Sequence, residues 1–186
     1  FPVRAERGSF RPGVFLLSVN DLAPLCDHGY WANARLFDVT SRLPGDDFTR
    51  PVAGSYGSIR NTLVHMMSAE AGWLDRCGGP SRGPKLNPDD FPTLASVTER
   101  WAFVEHQMRA FLGALSDNDM KRRIEFVIVP GTPPQVMSIG EMLHHAAIHN
   151  VHHRGQIALL LRTLEHVPGN FDALFYYVEK AGAAPV

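Results

Sequence analysis

SIGEMLHHAAIHNVHHRGQIALLLRTL, residues Ser138–Leu164, is the stretch that decides the fold, and its apolar spacing predicts one long helix. Ser138 and Glu141 have the spacing of a capping box, in which each side chain satisfies a free backbone amide of the first turn. No proline interrupts the stretch before Pro168. The stretch also carries five of the nine histidines of the chain, so any chemistry based on imidazole is concentrated in this helix.

The histidines of this helix differ in the direction they face. His149 and His153 lie on the flank of its apolar face at the i, i+4 spacing, which stacks two imidazoles about 6 Å apart along the axis. Both can then reach one metal ion at bond lengths of about 2.0–2.1 Å. His145 lies one turn earlier, too far along the helix to share an ion with His153. A third ligand is expected from another helix, and a pair of hydrogen-bonded structural histidines is the alternative interpretation.

The composition indicates one soluble domain and excludes several classes of protein. The chain has 186 residues, 45% of them hydrophobic, and a formal net charge of −1. No basic block favours nucleic acid, and the longest apolar runs are too short to cross a membrane. The two cysteines, Cys26 and Cys77, do not form a disulfide framework, so we expect a reducing, cytoplasmic location.

The rest of the chain predicts further helices around the histidine helix. We expect an irregular lead-in at residues 1–19 and a single domain at 20–180. A first helix is expected over 19–43, with Asn20 or Asp21 as its cap, and a second over 58–77 after a loop. A third helix is expected over 93–115, then two short strands or an extended crossover near 124–137, and a short C-terminal helix over 170–180. These elements predict an all-α four-helix bundle with a long crossover between helices three and four.

The second helix offers two candidates for the third ligand. Glu70 falls near the middle of its apolar stripe, and His65 lies on the flank of that stripe. The helical wheel does not choose between them. A buried Glu70 is equally consistent with a metal ligand, an acceptor behind a ligand, or the partner of Arg154 or Arg162.

Several stretches resemble the DinB/YfiT superfamily of bacterial metal-binding four-helix bundles. The most specific is His149–Ile157, which reads HNVHHRGQI and lies near the end of the chain. The resemblance covers roughly residues 20–180. The other matching stretches are Ser58–His65 with Glu70, Trp73 and Leu74 after it, Tyr30–Asn33, and Phe171–Tyr176.

The resemblance implies His65, His149 and His153 as the three metal ligands, a crossover bundle and a homodimer. It also implies a metal-dependent enzyme, a hydrolase or a thiol S-transferase acting on a small organic molecule, with a low-molecular-weight thiol as a possible partner. Glu70 and His145 are then the candidate catalytic residues. Three imidazoles favour Zn(II), then Ni(II), over Mg or Ca. The alternative is a non-catalytic, stress-associated dimer that binds metal.

Overall fold

The computed structural model describes residues 17–182, which are mostly helical with one small two-stranded sheet. The predicted lead-in at residues 1–19 falls outside the described residues except for its last three. The elements in chain order are α1 Val19–Thr40, α2 Ile59–Arg76, a 3-10 turn Pro88–Asp90, α3 Leu94–Ala114, α4 Asp117–Met120, β1 Arg123–Phe126, β2 Gln135–Ser138, α5 Ile139–Thr163 and α6 Ala173–Lys180.

The long helices begin where short polar side chains can satisfy the free amides of the first turn. Ser138 caps α5: its hydroxyl accepts from the Glu141 amide at 3.1 Å, and the Glu141 carboxylate accepts from the Ser138 amide at 2.6 Å. Asn20 and Asp21 were the wrong residues for the cap of α1. Ser18 caps that helix, and Asp21 closes a reciprocal capping box three residues later.

Some helix ends and one short helix differ from the prediction, whereas the predicted strands are present. The first helix stops at Thr40, three residues before the predicted end, and α6 starts at Ala173 instead of residue 170. The short α4 was not predicted. The two predicted short strands are present as an antiparallel hairpin in which Arg123 pairs with Ser138 and Phe126 with Gln135.

The core fixes the relative positions of the helices that carry the histidines. Helix α5 packs on α2 and α1, and α3 packs on the same two helices. Leu63 of α2 and Ile157 of α5 are fully buried in one apolar cluster, and Met142 and Leu143 belong to a second. Truncating such a buried side chain to alanine typically costs about 2–5 kcal/mol of stability. The packing therefore holds α2 and α5 side by side along their length.

Cys77 is buried in the second apolar cluster, as expected for a core thiol, and Cys26 is half-buried. Burial raises the pKa of each thiol to about 12, so both are protonated and inert at neutral pH. Within residues 17–182, no helix is both long and apolar enough to cross a lipid bilayer.

Candidate metal centre

Three imidazoles from two helices converge on one point. The Nε2 atom of His149 lies 3.1 Å from Nε2 of His65 and 3.1 Å from Nε2 of His153. Bonds of about 2.0–2.1 Å to a shared ion separate the ligand nitrogens by about 2.9–3.4 Å, so this spacing fits a transition metal. Within residues 17–182, the ligand atoms of His65, His149 and His153 all lie within 4.8 Å of one another, so these three residues could hold one metal ion.

Gln156 fixes the proton on His153. Its Oε1 lies 2.6 Å from Nδ1 of His153, and because an amide oxygen only accepts, Nδ1 carries the hydrogen. The Nε2 lone pair of His153 then points at the other two imidazoles. Such a partner behind a ligating histidine orients the ring and raises its basicity.

A short loop before α2 reaches the same cluster. The Ser55 hydroxyl donates to Oε1 of Gln156 at 2.9 Å, and the Tyr56 ring stacks on His65 with centroids 3.9 Å apart. Ser55 adopts a left-handed backbone with φ 47°, which is unfavourable for a residue with a side chain, and Gly54 and Gly57 flank it with φ 100° and 84°. The loop is therefore strained at Ser55, next to Tyr56, whose ring stacks on His65 and lies 5.6 Å from that of His153.

Glu70 is buried in a separate hydrogen-bond network beneath the cluster. Its carboxylate accepts from Tyr30 Oη at 2.6 Å, Trp101 Nε1 at 3.0 Å and Asn150 Nδ2 at 2.9 Å. Burial raises the pKa of Glu70, while the three donors act in the opposite direction. Three donors therefore occupy the Glu70 carboxylate, and the residue is only 4% exposed.

Arg154, one of the two predicted partners of Glu70, makes other bonds. Its Nη1 donates to Asn33 Oδ1 at 3.0 Å and to the Gly29 carbonyl at 3.3 Å. Burial lowers the pKa of Arg154 to about 10, and the negative charge of Glu70 opposes this shift. The negative charge of Glu70 thus partly offsets the cost of burying Arg154, although no hydrogen bond or ion pair joins the two side chains.

Asn150 bonds Glu70 and stands next to His149 of the cluster in the chain. Its Nδ2 bonds Glu70, while its Oδ1 and the adjacent His149 Nδ1 are both buried and make no hydrogen bond of good geometry. An imidazole that uses Nε2 for a metal carries its proton on Nδ1, so a small rotation would pair this donor with the amide oxygen. Asn150 is therefore fixed by Glu70 on one side and leaves its amide oxygen free on the side of His149.

His145 lies next to the cluster and outside it. Its ring packs edge-on against Trp73 with centroids 4.7 Å apart, and its centroid is 5.7 Å from that of His149. Burial lowers the pKa of His145, with a smaller contribution from His144. The predicted catalytic pair therefore separates: Glu70 is enclosed in the core, and His145 lies at the edge of the imidazole cluster.

The three imidazoles are neutral at physiological pH. Burial lowers the pKa of His65 to about 4, reinforced by His153 and His149, and burial lowers the pKa of His149 to about 4 as well. Burial also lowers the pKa of His153, against the opposing hydrogen bond to Gln156. Neutral imidazoles with converging lone pairs are the form that binds a cation.

Sequence reasoning missed Gln156, Asn150, Ser55 and Tyr56. Gln156 had a detectable signal, because it lies three residues after His153 and so shares its side of the helix. Asn150 also stands within the histidine helix, beside His149. No sequence signal pointed to Ser55 and Tyr56, since no local pattern places a loop residue against a helix that begins more than 80 residues later.

Comparisons with known proteins give the family of the chain and a solved structure that shares its fold. A family model described as the DinB family matches residues 19–182. The chain is 21% identical over 167 residues to Protein DinB of Bacillus subtilis (strain 168), covering 86% of this chain and 96% of that protein. It also superposes on the crystal structure of a DinB-like protein from Bacillus cereus ATCC 10987 with a TM-score of 0.68 and 16% identity, covering 84% of this chain and 99% of the other.

Proposed function

The chain belongs to the DinB family, and from this premise we propose that it is a metal-dependent enzyme in which His65, His149 and His153 hold a divalent transition metal. The observation that carries the proposal is the convergence of three neutral Nε2 atoms, two of them 3.1 Å from the third. Lone pairs at this spacing repel one another unless a proton or a cation lies between them. Three protein ligands are typical of catalytic sites, which keep a position for water or substrate.

We favour Zn(II), with Ni(II) next, because imidazole suits both ions and does not suit Mg or Ca. When bound, such an ion would either lower the pKa of a water molecule to about 7 or hold a thiolate. The chain's own residues would orient the ligands: Gln156 and Ser55 behind His153, and Asn150 and Glu70 behind His149. Tyr56 would shield one side of the cluster from water.

The reaction we propose is hydrolysis or thiol S-transfer on a small organic substrate. The net charge of −1 offers no strong attraction for a polyanion. A thiol substrate must come from solution, because Cys26 and Cys77 are protonated and packed away from the imidazoles. His145, at the edge of the cluster, is the side chain placed best to exchange a proton with a substrate.

For the architecture we propose a four-helix bundle of α1, α2, α3 and α5, with the crossover between α3 and α5, that assembles as a homodimer. The exposed side chains of Leu159 on α5 and of Leu174 and Tyr177 on α6 offer apolar surface for a partner. Light scattering at micromolar concentration should give twice the 20.6 kDa mass of the chain. A monomeric mass would contradict the dimer.

The first experiment is elemental analysis of the untagged protein, followed by activity screens with and without a chelator. Zn or Ni should be found near one ion per chain, and His149→Ala should remove it, whereas the exposed His106→Ala should not. A hydrolytic activity should rise with pH through a pKa of about 7, and a thiol transfer should saturate with added thiol. Full metal content in His149→Ala would sink the ligand assignment.

A non-catalytic metal-binding, stress-associated protein is the second candidate. The observation that favours it is the stacking of Tyr56 on His65, which covers one side of the cluster. A metal-loaded structure decides between the two. A fourth protein ligand, with silence in both screens, would favour the second candidate, whereas a bound water would favour the enzyme.

A further inference from the structure

A shallow, open groove of about 460 Å³ lies on the surface between α5 and the β-hairpin, and it reaches His145 next to the imidazole cluster. The β-hairpin forms one wall and α5 the other. His145 lies between the two regions: it lines the groove, and its ring centroid is 5.7 Å from that of His149 in the cluster. The lining residues are Val136, Met137, Glu141, His144, His145 and Ile148.

The Glu141 carboxylate in the groove wall already interacts with other groups of the protein. The Glu141 carboxylate accepts from the Ser138 amide at 2.6 Å and lies 3.8 Å from the Arg123 guanidinium. The remaining wall is largely apolar: Val136 is 46% exposed and Ile148 is 49% exposed. Contiguous apolar surface in a concave site beside converging polar groups is the usual pattern of a small-molecule site.

The groove also has the right position for a bound molecule that reaches the cluster. About 6 Å of helix axis separates His149 from His145, and Ile148 lies between them in the sequence. A molecule held at the three imidazoles would extend over His145 and meet the side chains of Ile148, Val136 and Met137. Its head would be polar and its tail uncharged and apolar.

We propose that this groove binds the apolar tail, an alkyl or arylalkyl group, of a substrate whose polar head is held at the imidazole cluster. The inference rests on the proposed function, because it takes the metal centre as the site of the head group. Such a groove would favour medium-chain acyl or alkyl substrates over compact polar ones. Each methylene transferred from water into the groove should strengthen binding about fourfold, so three of them give more than tenfold.

The test compares two hydroxamates, which share one metal-binding head and differ in tail length. Acetohydroxamate and octanohydroxamate are titrated into the Co(II)-substituted full-length chain, and binding is followed by the visible spectrum of the ion. Octanohydroxamate should bind at least tenfold more tightly. Equal affinities for the two compounds would overturn the groove while leaving the metal centre intact.

Two exposed positions of α5 give a matched pair of variants. Ile148→Ser should remove most of the gain from the longer tail. Val151→Ser should keep it, because Val151 is 47% exposed on the same helix and does not line the groove. Acetohydroxamate should bind both variants equally, which shows that fold and metal are preserved.

The outcomes separate the two hypotheses. A tail-length gain that survives in Ile148→Ser, or that is lost equally in Val151→Ser, contradicts the groove. If the chain fails to take up Co(II), or if acetohydroxamate leaves the spectrum of the bound ion unchanged, the proposed function itself is wrong and the inference falls with it.

Discussion

At position 156 a single amide oxygen accepts hydrogen bonds from both the His153 imidazole and the Ser55 hydroxyl. The Nε2 atom of the same amide lies 3.0 Å from Nε2 of His152, so the Gln156 side chain is held at both ends. A restrained acceptor keeps His153 in one tautomer and one orientation. The geometry of the cluster thus depends on a residue that binds no metal.

We predict that Gln156→Leu weakens metal affinity by about 10–100-fold, because His153 loses the acceptor that fixes its tautomer. Competition with a chromophoric chelator measures this on the purified protein. Gln156→Glu retains an acceptor and should stay close to the wild type, whereas Ser55→Ala should show a smaller loss in the same direction. Unchanged affinity in Gln156→Leu would remove the positioning role.

The metal-free protein should lose stability on acidification. The pKa values of His65 and His149 are lowered from 6.5 to about 4 by burial, so the unfolded chain binds more protons than the folded one between these values. The free energy of unfolding should therefore fall as the pH drops from about 6.5 to about 4. Below a pH of about 4 both states are protonated at these histidines, so they should cause no further change. Urea titrations of wild type and His65→Asn across this range measure the effect. The variant should show a shallower slope, and identical slopes would contradict the prediction.

At the scale of single residues, the sequence was most informative where spacing alone carries meaning. The i, i+4 pair His149 and His153 is visible in the sequence, and the structure brings both next to His65. The wheel placed Glu70 correctly in the apolar face, yet could not say what it bonds. Its three donors come from three other helices, and such partners are a property of tertiary packing.

Among the elements, α2 is tied to its neighbours through one carboxylate. Glu70 receives hydrogen bonds from Tyr30 of α1, Trp101 of α3 and Asn150 of α5. The carboxylate is thus a shared acceptor for three helices. This explains why a charged residue is retained in the middle of an apolar stripe.

We predict that Glu70→Leu lowers the free energy of unfolding by about 3 kcal/mol or more, because three buried donors lose their acceptor. Chemical denaturation measures the loss. Glu99→Leu, at an exposed position of α3, should change stability by less than about 0.5 kcal/mol. If Glu70→Leu were as stable as the wild type, the network would have no structural role.

The starts of the helices were predictable where the sequence itself contains a recognisable capping residue. Ser58 and Ser138 begin α2 and α5 within one residue of the predicted starts, since each accepts from an amide three residues later. The cap of α1 was missed, although Ser18 stands directly before the first apolar residue of the pattern, because Asn20 and Asp21 offer capping side chains of the same kind two and three residues later. The end of α1 was overestimated because Leu43 continues the period after the backbone has left the helix.

For the whole molecule, the cluster joins residues 84 positions apart in the chain. An ion bound there would link α2 to α5 in the folded state alone, so it stabilises the protein by mass action. We predict that a chelator lowers the Tm of the purified protein, and that added Zn(II) restores it. A thermal melt of His149→Ala should be the same with and without chelator. A wild-type Tm that changes with neither the chelator nor added Zn(II) would contradict a bound metal.

The mostly helical fold was within reach of the sequence because four long amphipathic segments dominate the chain. The path of the loop before α2 was not. The loop over residues 44–58 carries Ser55 and Tyr56 to the cluster, and its path depends on contacts with α5 that no local pattern encodes. Chain segments of this kind determine what surrounds a site, whereas periodicity determines the helices that support it.

The left-handed backbone of Ser55 has a consequence for how this position would evolve. Such a conformation costs a residue with a side chain about 1–2 kcal/mol, and glycine adopts it freely. A library of variants at position 55 selected only for thermal stability of the metal-free chain should therefore drift towards glycine. The same library selected for retention of metal should return serine, because only the hydroxyl reaches Gln156. Two selections that converge on the same residue would mean that the loop and the cluster are not linked.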